Sequence, residues 1–259
     1  MMMFFYKRIW FINWLPAGLL LMTSLGCSTG YQLSKSNRKE YVIDQKTGAD
    51  STVIKAYLPY KAKMEAEMSQ VIGHSAILMS KKSSDTLPES LLSNFFADAV
   101  MLEAKKVDPS IDFGIPSTKG GLRVDLPEGN VTVSNIFELM PFENEVVVYQ
   151  LSGQQVRELL DFVAATNGQP VTGLQLKIKD RKLITAKVNG QEIDPAKTYR
   201  VLTSDYIGGG GDKVPVFKDI KDRKSLGLKI RDALMGYVRE MEAQGKLLSS
   251  SLDGRIVKL

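Results

Sequence analysis

Glu145-Val146-Val147-Val148-Tyr149-Gln150-Leu151-Ser152-Gly153 is the stretch on which the fold turns. Its alternation and its run of valines predict a strand over 145–151, since β-branched side chains suit a pleated surface. Ser152-Gly153 then turns the chain into a helix over 154–166. Paired strands follow over 174–179 and 183–188, and Asn189-Gly190 is a strong hairpin turn before a short strand over 191–193. Another strand occupies 198–203. Helices and antiparallel hairpins mixed in this way, without regular strand-helix alternation, predict an α+β class with layered sheets covered by helices.

Upstream, 111–115 is an apolar run closed by Pro116, a buried strand that delivers the loop Ser117-Thr118-Lys119-Gly120-Gly121. Thr132 caps a short helix that ends at Leu139 and is stopped by Pro141. Pro88 and Glu89 open an amphipathic helix through Lys105, and 75–80 reads as a strand. Before it, 50–72 is a leading helix outside the core, with Pro59 expected to kink it or mark a restart. At the other end, 228–243 is a charged amphipathic helix and 255–259 a closing edge strand.

Lys7 and Arg8 precede an apolar run over 9–22, and Ser24-Leu25-Gly26 stands directly before Cys27, the only cysteine. The run is too short and wrongly flanked for a spanning helix and has the pattern of a secretory leader. A small residue before a lone Cys resembles a bacterial lipoprotein cleavage site, which makes Cys27 the expected lipidated residue. An ordinary leader with an incidental Cys is the weaker alternative, because no other thiol exists to pair with it. Localisation at the bacterial cell envelope, with a lipid anchor to a membrane, follows. Without the leader, Lys+Arg falls from 34 to 32 against 29 Asp+Glu, so the formal charge drops from +5 to +3. That surplus gives no reason to expect a nucleic-acid polymer as partner. The resulting organisation is a lipoprotein signal peptide over 1–26, a polar tether over 27–43, a linker helix and entry strand over 44–74, and one domain over 75–259.

Three short segments carry candidate chemistry. Gly120-Gly121-Leu122-Arg123 combines glycines that let a main chain approach a ligand with a planar guanidinium suited to phosphate, although a tight turn with an exposed Arg is the simpler reading of these four residues alone. Phe142, just after Pro141, offers a ring for stacking a base, while filling the core is the default for any Phe. Tyr206-Ile207-Gly208-Gly209-Gly210-Gly211-Asp212 is less ordinary. Consecutive glycines cost backbone entropy and pack nothing, which suits a ligand lying against the main chain, with Tyr206 as a ring and Asp212 as an acceptor for a ribose diol. A flexible surface loop stands on equal terms. His74 is the only histidine, too few for a two-ion phosphatase centre that needs several His and Asp ligands, though a carboxylate-only site stays open on counting alone.

Taken in order, Ser93-Asn94-Phe95-Phe96-Ala97-Asp98-Ala99, Gly120-Gly121-Leu122-Arg123, Met140-Pro141-Phe142-Glu143-Asn144, Leu151-Ser152-Gly153, Val171-Thr172-Gly173, Asp194-Pro195 with Tyr199-Arg200-Val201, and Gly210-Gly211-Asp212 form a specific series. The chain resembles the C-terminal, substrate-binding domain of bacterial and animal 5'-nucleotidases, the family that includes periplasmic UDP-sugar hydrolases. The resemblance implies a layered α/β/β/α sandwich of mixed sheets covered by helices, with a cleft that holds the nucleoside. In that family a separate N-terminal metallophosphatase domain holds two metal ions and performs hydrolysis. Carried over by position, Arg123 contacts phosphate, Phe142 and Tyr206 sandwich the base, Asp212 binds ribose hydroxyls, and Gly120, Gly121, Gly210 and Gly211 let the main chain come close.

Departures from the pattern are Thr118 where the family has Asn, Lys119 in place of a third glycine, and the absence over 83–89 of arginines that complete a phosphate clamp. Lys119 is the one cation placed to compensate. No catalytic residue, metal or cofactor is assigned to this chain; divalent metals are expected on a separately encoded metallophosphatase subunit, with a nucleotide or nucleoside as shared ligand. The alternative is an envelope lipoprotein that binds nucleosides or nucleotides without hydrolysis.

Overall fold

The computed structural model describes residues 33, 35–44, 46–82, 87–217, 220 and 222–259. The expected leader, Cys27 and the stretch 83–86 lie outside the described residues. Two units divide the chain, Met1–Ser51 and Thr52–Leu259. In the first, every described residue is exposed, and a turn closes from the Thr47 N–H to the Asp44 carbonyl at 3.0 Å.

Helix α1 (Ser51–Met68), whose first residue is the last of the first unit, runs through Pro59 without a break and buries no residue. Next come β1 (Val71–Ser75), α2 (Leu91–Val107), β2 (Phe113–Gly114), β3 (Gly129–Thr132) and α3 (Val133–Leu139). The chain continues through β4 (Glu145–Ser152), α4 (Gly153–Ala165), β5 (Leu174–Lys179), β6 (Lys182–Val188), β7 (Gln191–Glu192) and β8 (Thr198–Ser204). It ends with the short α5 (Asp205–Gly208), β9 (Arg223–Lys229), α6 (Ile230–Ala243) and β10 (Ile256–Lys258).

Helix starts follow their caps. Thr132 and Ser152 each accept from the N–H three residues on while Asn135 and Gln155 reciprocate, closing capping boxes at α3 and α4. Helix α2 starts at Leu91, later than the Pro88-Glu89 step, because Ser90 is its cap. Glu89 is instead buried, accepting from Asn94 Nδ2 and the Gly254 N–H, both at 2.9 Å. Strand β1 also differs from the reading at 75–80: it pairs over 71–75 with β3, its Ile72 sits in the core, and only a single bridge at Met79 follows. The entry strand thus pairs and packs within the second unit.

Among the described residues three sheets form, in the orders β1-β3, β10-β5-β6-β7 and β2-β8-β4-β9. The last is mixed, with β2 parallel to β8 and both β8 and β9 antiparallel to β4. Strand β4 is covered on both faces. Val146 and Val148 enter one core with α2, α3 and α6, whereas Val147, Tyr149 and Leu151 enter a second with α4 and the β5-β6 sheet. That double burial explains the valine run, since a strand buried on both sides has no polar face to alternate with. The domain is α+β, its mixed sheets covered by helices, and the layers run from α2 and α6 through the central sheet to the β10-β5-β6-β7 sheet, with α4 touching strands of both sheets.

Candidate functional site

Two arms leave the central sheet side by side. The first follows α3: the Met140 N–H still bonds to Ile136, Pro141 ends the helix, and Phe142 is presented half-buried against the first core. The start of α6 holds this arm. Ile230 donates to the Asn144 carbonyl at 2.9 Å, Arg231 donates to the Phe142 carbonyl at 3.4 Å and to the Glu143 carboxylate, and Lys229 also pairs with Glu143. Lys229 first and Arg231 second lower the Glu143 pKa to about 2. The buried Arg231 guanidinium also lies 4.0 Å from the Phe137 ring centroid.

The second arm follows β8. Ser204 caps α5 by accepting from Ile207 at 3.2 Å, and Tyr206 stands on that turn with 52% of its surface exposed. Packing within the protein accounts for two of the four glycines. A Cβ at Gly208 would meet the buried Tyr149 hydroxyl at 2.4 Å, and one at Gly211 would meet the Tyr206 ring at 2.5 Å. The ring therefore lies directly on the Gly211 main chain. Gly210 (φ 94°) and Asp212 (φ 51°) take left-handed conformations that swing the Asp212 carboxylate back toward the ring. Its Oδ1 receives the Tyr206 hydroxyl at 3.0 Å and its Oδ2 the Thr118 hydroxyl.

Thr118 belongs to the loop leaving β2, which forms a single 3₁₀ turn over Lys119–Gly121. A Cβ at Gly121 would sit 2.0 Å from Ser117 Oγ, so that hydroxyl would have to turn away, whereas at Gly120 the nearest atom is 3.6 Å away. Lys119 turns away from the cleft. Its N–H donates to Gln169 Oε1 and its ammonium to the Asn167 carbonyl, both at 2.8 Å, and burial pushes its pKa down. It ties the loop to the end of α4 instead of supplying a second cation to the cleft. Arg123 is exposed, with its guanidinium 5.2 Å from the Phe142 ring centroid, while Lys81 donates to its carbonyl at 3.0 Å.

Gly120, Gly121, Arg123, Phe142, Tyr206 and Asp212 line one cleft of about 320 Å³. Gly210 and Gly211 are not in its wall; Gly211 supports Tyr206 from behind. Asn144, Ser117 and Ser204 also line the cleft, although the sequence reading gave them no role. Asn144 was visible only as the last residue of a marker. A second cleft, of about 380 Å³, is lined by Asp98, Asp253 and Arg255, but its charges are already satisfied: Arg255 bonds both carboxylates and the Val171 carbonyl. It offers a ligand no free ion.

Comparison with known proteins identifies the family. The family model described as "5'-nucleotidase, C-terminal domain" matches residues 71–219, and the chain belongs to that family. It is 27% identical over 198 residues to an apyrase of Tabanus yao, covering 66% of this chain and 35% of the apyrase. With the trifunctional nucleotide phosphoesterase protein YfkN of Bacillus subtilis it shares 25% over 243 residues, 87% of this chain and 16% of that protein. The fold is similar to that of the 5'-nucleotidase precursor from Thermus thermophilus, with a TM-score of 0.67 at 25% identity over 80% of this chain and 43% of that one. The chain thus spans less than half the length of each of these relatives.

Proposed function

We propose that the domain is the nucleotide- or nucleoside-holding half of a 5'-nucleotidase-type phosphohydrolase, and that a separately encoded metallophosphatase completes it. One observation carries the reading: a guanidinium, two aromatic rings and one carboxylate, from three loops distant in sequence, line a single cleft. In this reading Arg123 takes the phosphate, Phe142 and Tyr206 hold the base between them, and Asp212 accepts the ribose hydroxyls. Of the residues in the cleft wall, Asp212 is the one acid and none is His or Cys, a set suited to holding a ligand. Divalent ions and the attack on phosphorus are assigned to the partner. Lipidation at Cys27 would hold the assembly at the bacterial envelope.

The test mixes the full chain with a secreted two-metal phosphatase lacking such a domain and follows phosphate release from AMP. Stimulation that Tyr206→Ala abolishes supports the pair. AMP binding with no effect on any such phosphatase would leave a non-hydrolytic binding lipoprotein, and a wild-type chain that does not bind AMP would refute the cleft assignment.

A further inference from the structure

Stacking a base between two rings demands a fixed gap, yet Phe142 and Tyr206 sit on separate loops 64 residues apart in sequence. Besides the β4–β8 pairing at their roots, one side-chain atom bonds to both loops. Asp205 Oδ1 accepts from Asn144 Nδ2 at 3.0 Å and from the Glu145 N–H at 3.1 Å, both on the Phe142 arm. The same oxygen accepts from the Tyr206 N–H at 2.8 Å on the other arm. Asn144 is held from its far side too, its carbonyl receiving the Ile230 N–H. Asp205 itself is not in the cleft wall.

We infer that Asp205 is a positioning residue, whose carboxylate fixes the separation of the two rings and so the affinity for the base. The inference rests on the cleft reading above. One oxygen that accepts from three donors ties the Phe142 arm directly to the Tyr206 turn, adding to what the β4–β8 pairing at the root of both arms and the α6 contacts supply. The effect falls mainly on the base, because Arg123 comes from another loop and Asp212, although on the Tyr206 arm and bonded to its hydroxyl, is also held by Thr118.

Calorimetry on the full chain in detergent, with AMP and ribose 5-phosphate as paired probes, tests this. Asp205→Ala, and Asp205→Glu, which keeps the charge but displaces the oxygen, should weaken AMP binding about tenfold, the scale of one lost stacking contact. Ribose 5-phosphate, which has no base, should change by less than about twofold. Asp205→Asn, which keeps the acceptor oxygen, should restore most AMP affinity. Should the alanine chain not fold, the glutamate variant carries the same comparison. Unchanged AMP affinity in the variants, with a wild type that binds AMP, overturns the inference and leaves the cleft reading intact. Parallel loss of both probes together with a lowered Tm also overturns it, because the carboxylate would then serve only stability. A wild type that binds ribose 5-phosphate but not AMP refutes the base sandwich itself.

Discussion

At the scale of single residues, the glycine run and its flanking pair carry the most specific expectations. The Tyr206 ring is half exposed and lies on Gly211, so it contributes little to the core while offering a face to a base. Tyr206→Ala should cost about 1–3 kcal/mol of AMP affinity with Tm unchanged, and Tyr206→Phe, which loses only the bond to Asp212, about 1 kcal/mol, both read by calorimetry. Two glycines of the run should part company under substitution. Gly208→Ala forces a methyl into the buried Tyr149 hydroxyl and should destabilise the fold by about 1–3 kcal/mol in urea unfolding. Gly211→Ala meets only the half-exposed ring, so it should displace Tyr206, weaken AMP binding and leave stability nearly intact. The sequence made it legible that something presses on these glycines. That one of the neighbours is Tyr149, from the middle of another strand, was not, because no local pattern encodes a contact 59 residues away.

Between residue and fold, helices were readable where a cap announces them and strands where both neighbours are local. Thr132 and Ser152 gave α3 and α4 their starts, the 174–188 hairpin was plain from its alternation, and the next turn, into β7, was plain from Asn189-Gly190, whose residues take φ of 49° and 80°. Strand β9 was missed. Arg223-Lys224-Ser225-Leu226-Gly227-Leu228-Lys229 is polar and interrupted by a left-handed glycine, and it is a strand only because the edge of β4 supplies its hydrogen bonds. Strand β3, whose partner β1 lies more than fifty residues earlier, was missed for the same reason. Caps and cores make opposite predictions for two helices. Ser152→Ala removes the α4 cap from a helix packed into the second core and should lower stability by about 1 kcal/mol. Pro59→Ala, in a helix that buries nothing, should raise the helical circular dichroism signal and leave the Tm of the domain where it was.

For the whole molecule, what matters is how the helical layer is tied to the central sheet, and a buried carboxylate does this at one corner. Asp108, the residue that ends α2, is 6% exposed at its side chain and meets the Ser110 hydroxyl at 2.6 Å, Arg200 of β8 at 2.6 Å and Lys224 of β9 at 2.9 Å. Ser110 first, then Lys224 and Arg200, hold its carboxyl well below its ordinary pKa of 3.8. Because the folded value is the lower one, the stabilisation is fully present above 3.8 and is lost as the pH falls below it, where the unfolded chain takes up the proton first. Asp108→Asn should therefore cost about 2 kcal/mol at neutral pH, moderated because Lys224 and part of Arg200 reach solvent. The measurement is denaturant unfolding of wild type and variant from pH 7 down to 2. The gap between the two curves should stay constant to about pH 4 and then close, since wild-type Asp108 loses its charge advantage there while asparagine never had one. A gap that persists unchanged to pH 2 would mean that the site is held by shape and hydrogen bonding, with the charge itself contributing nothing to the join between the helices and the sheet.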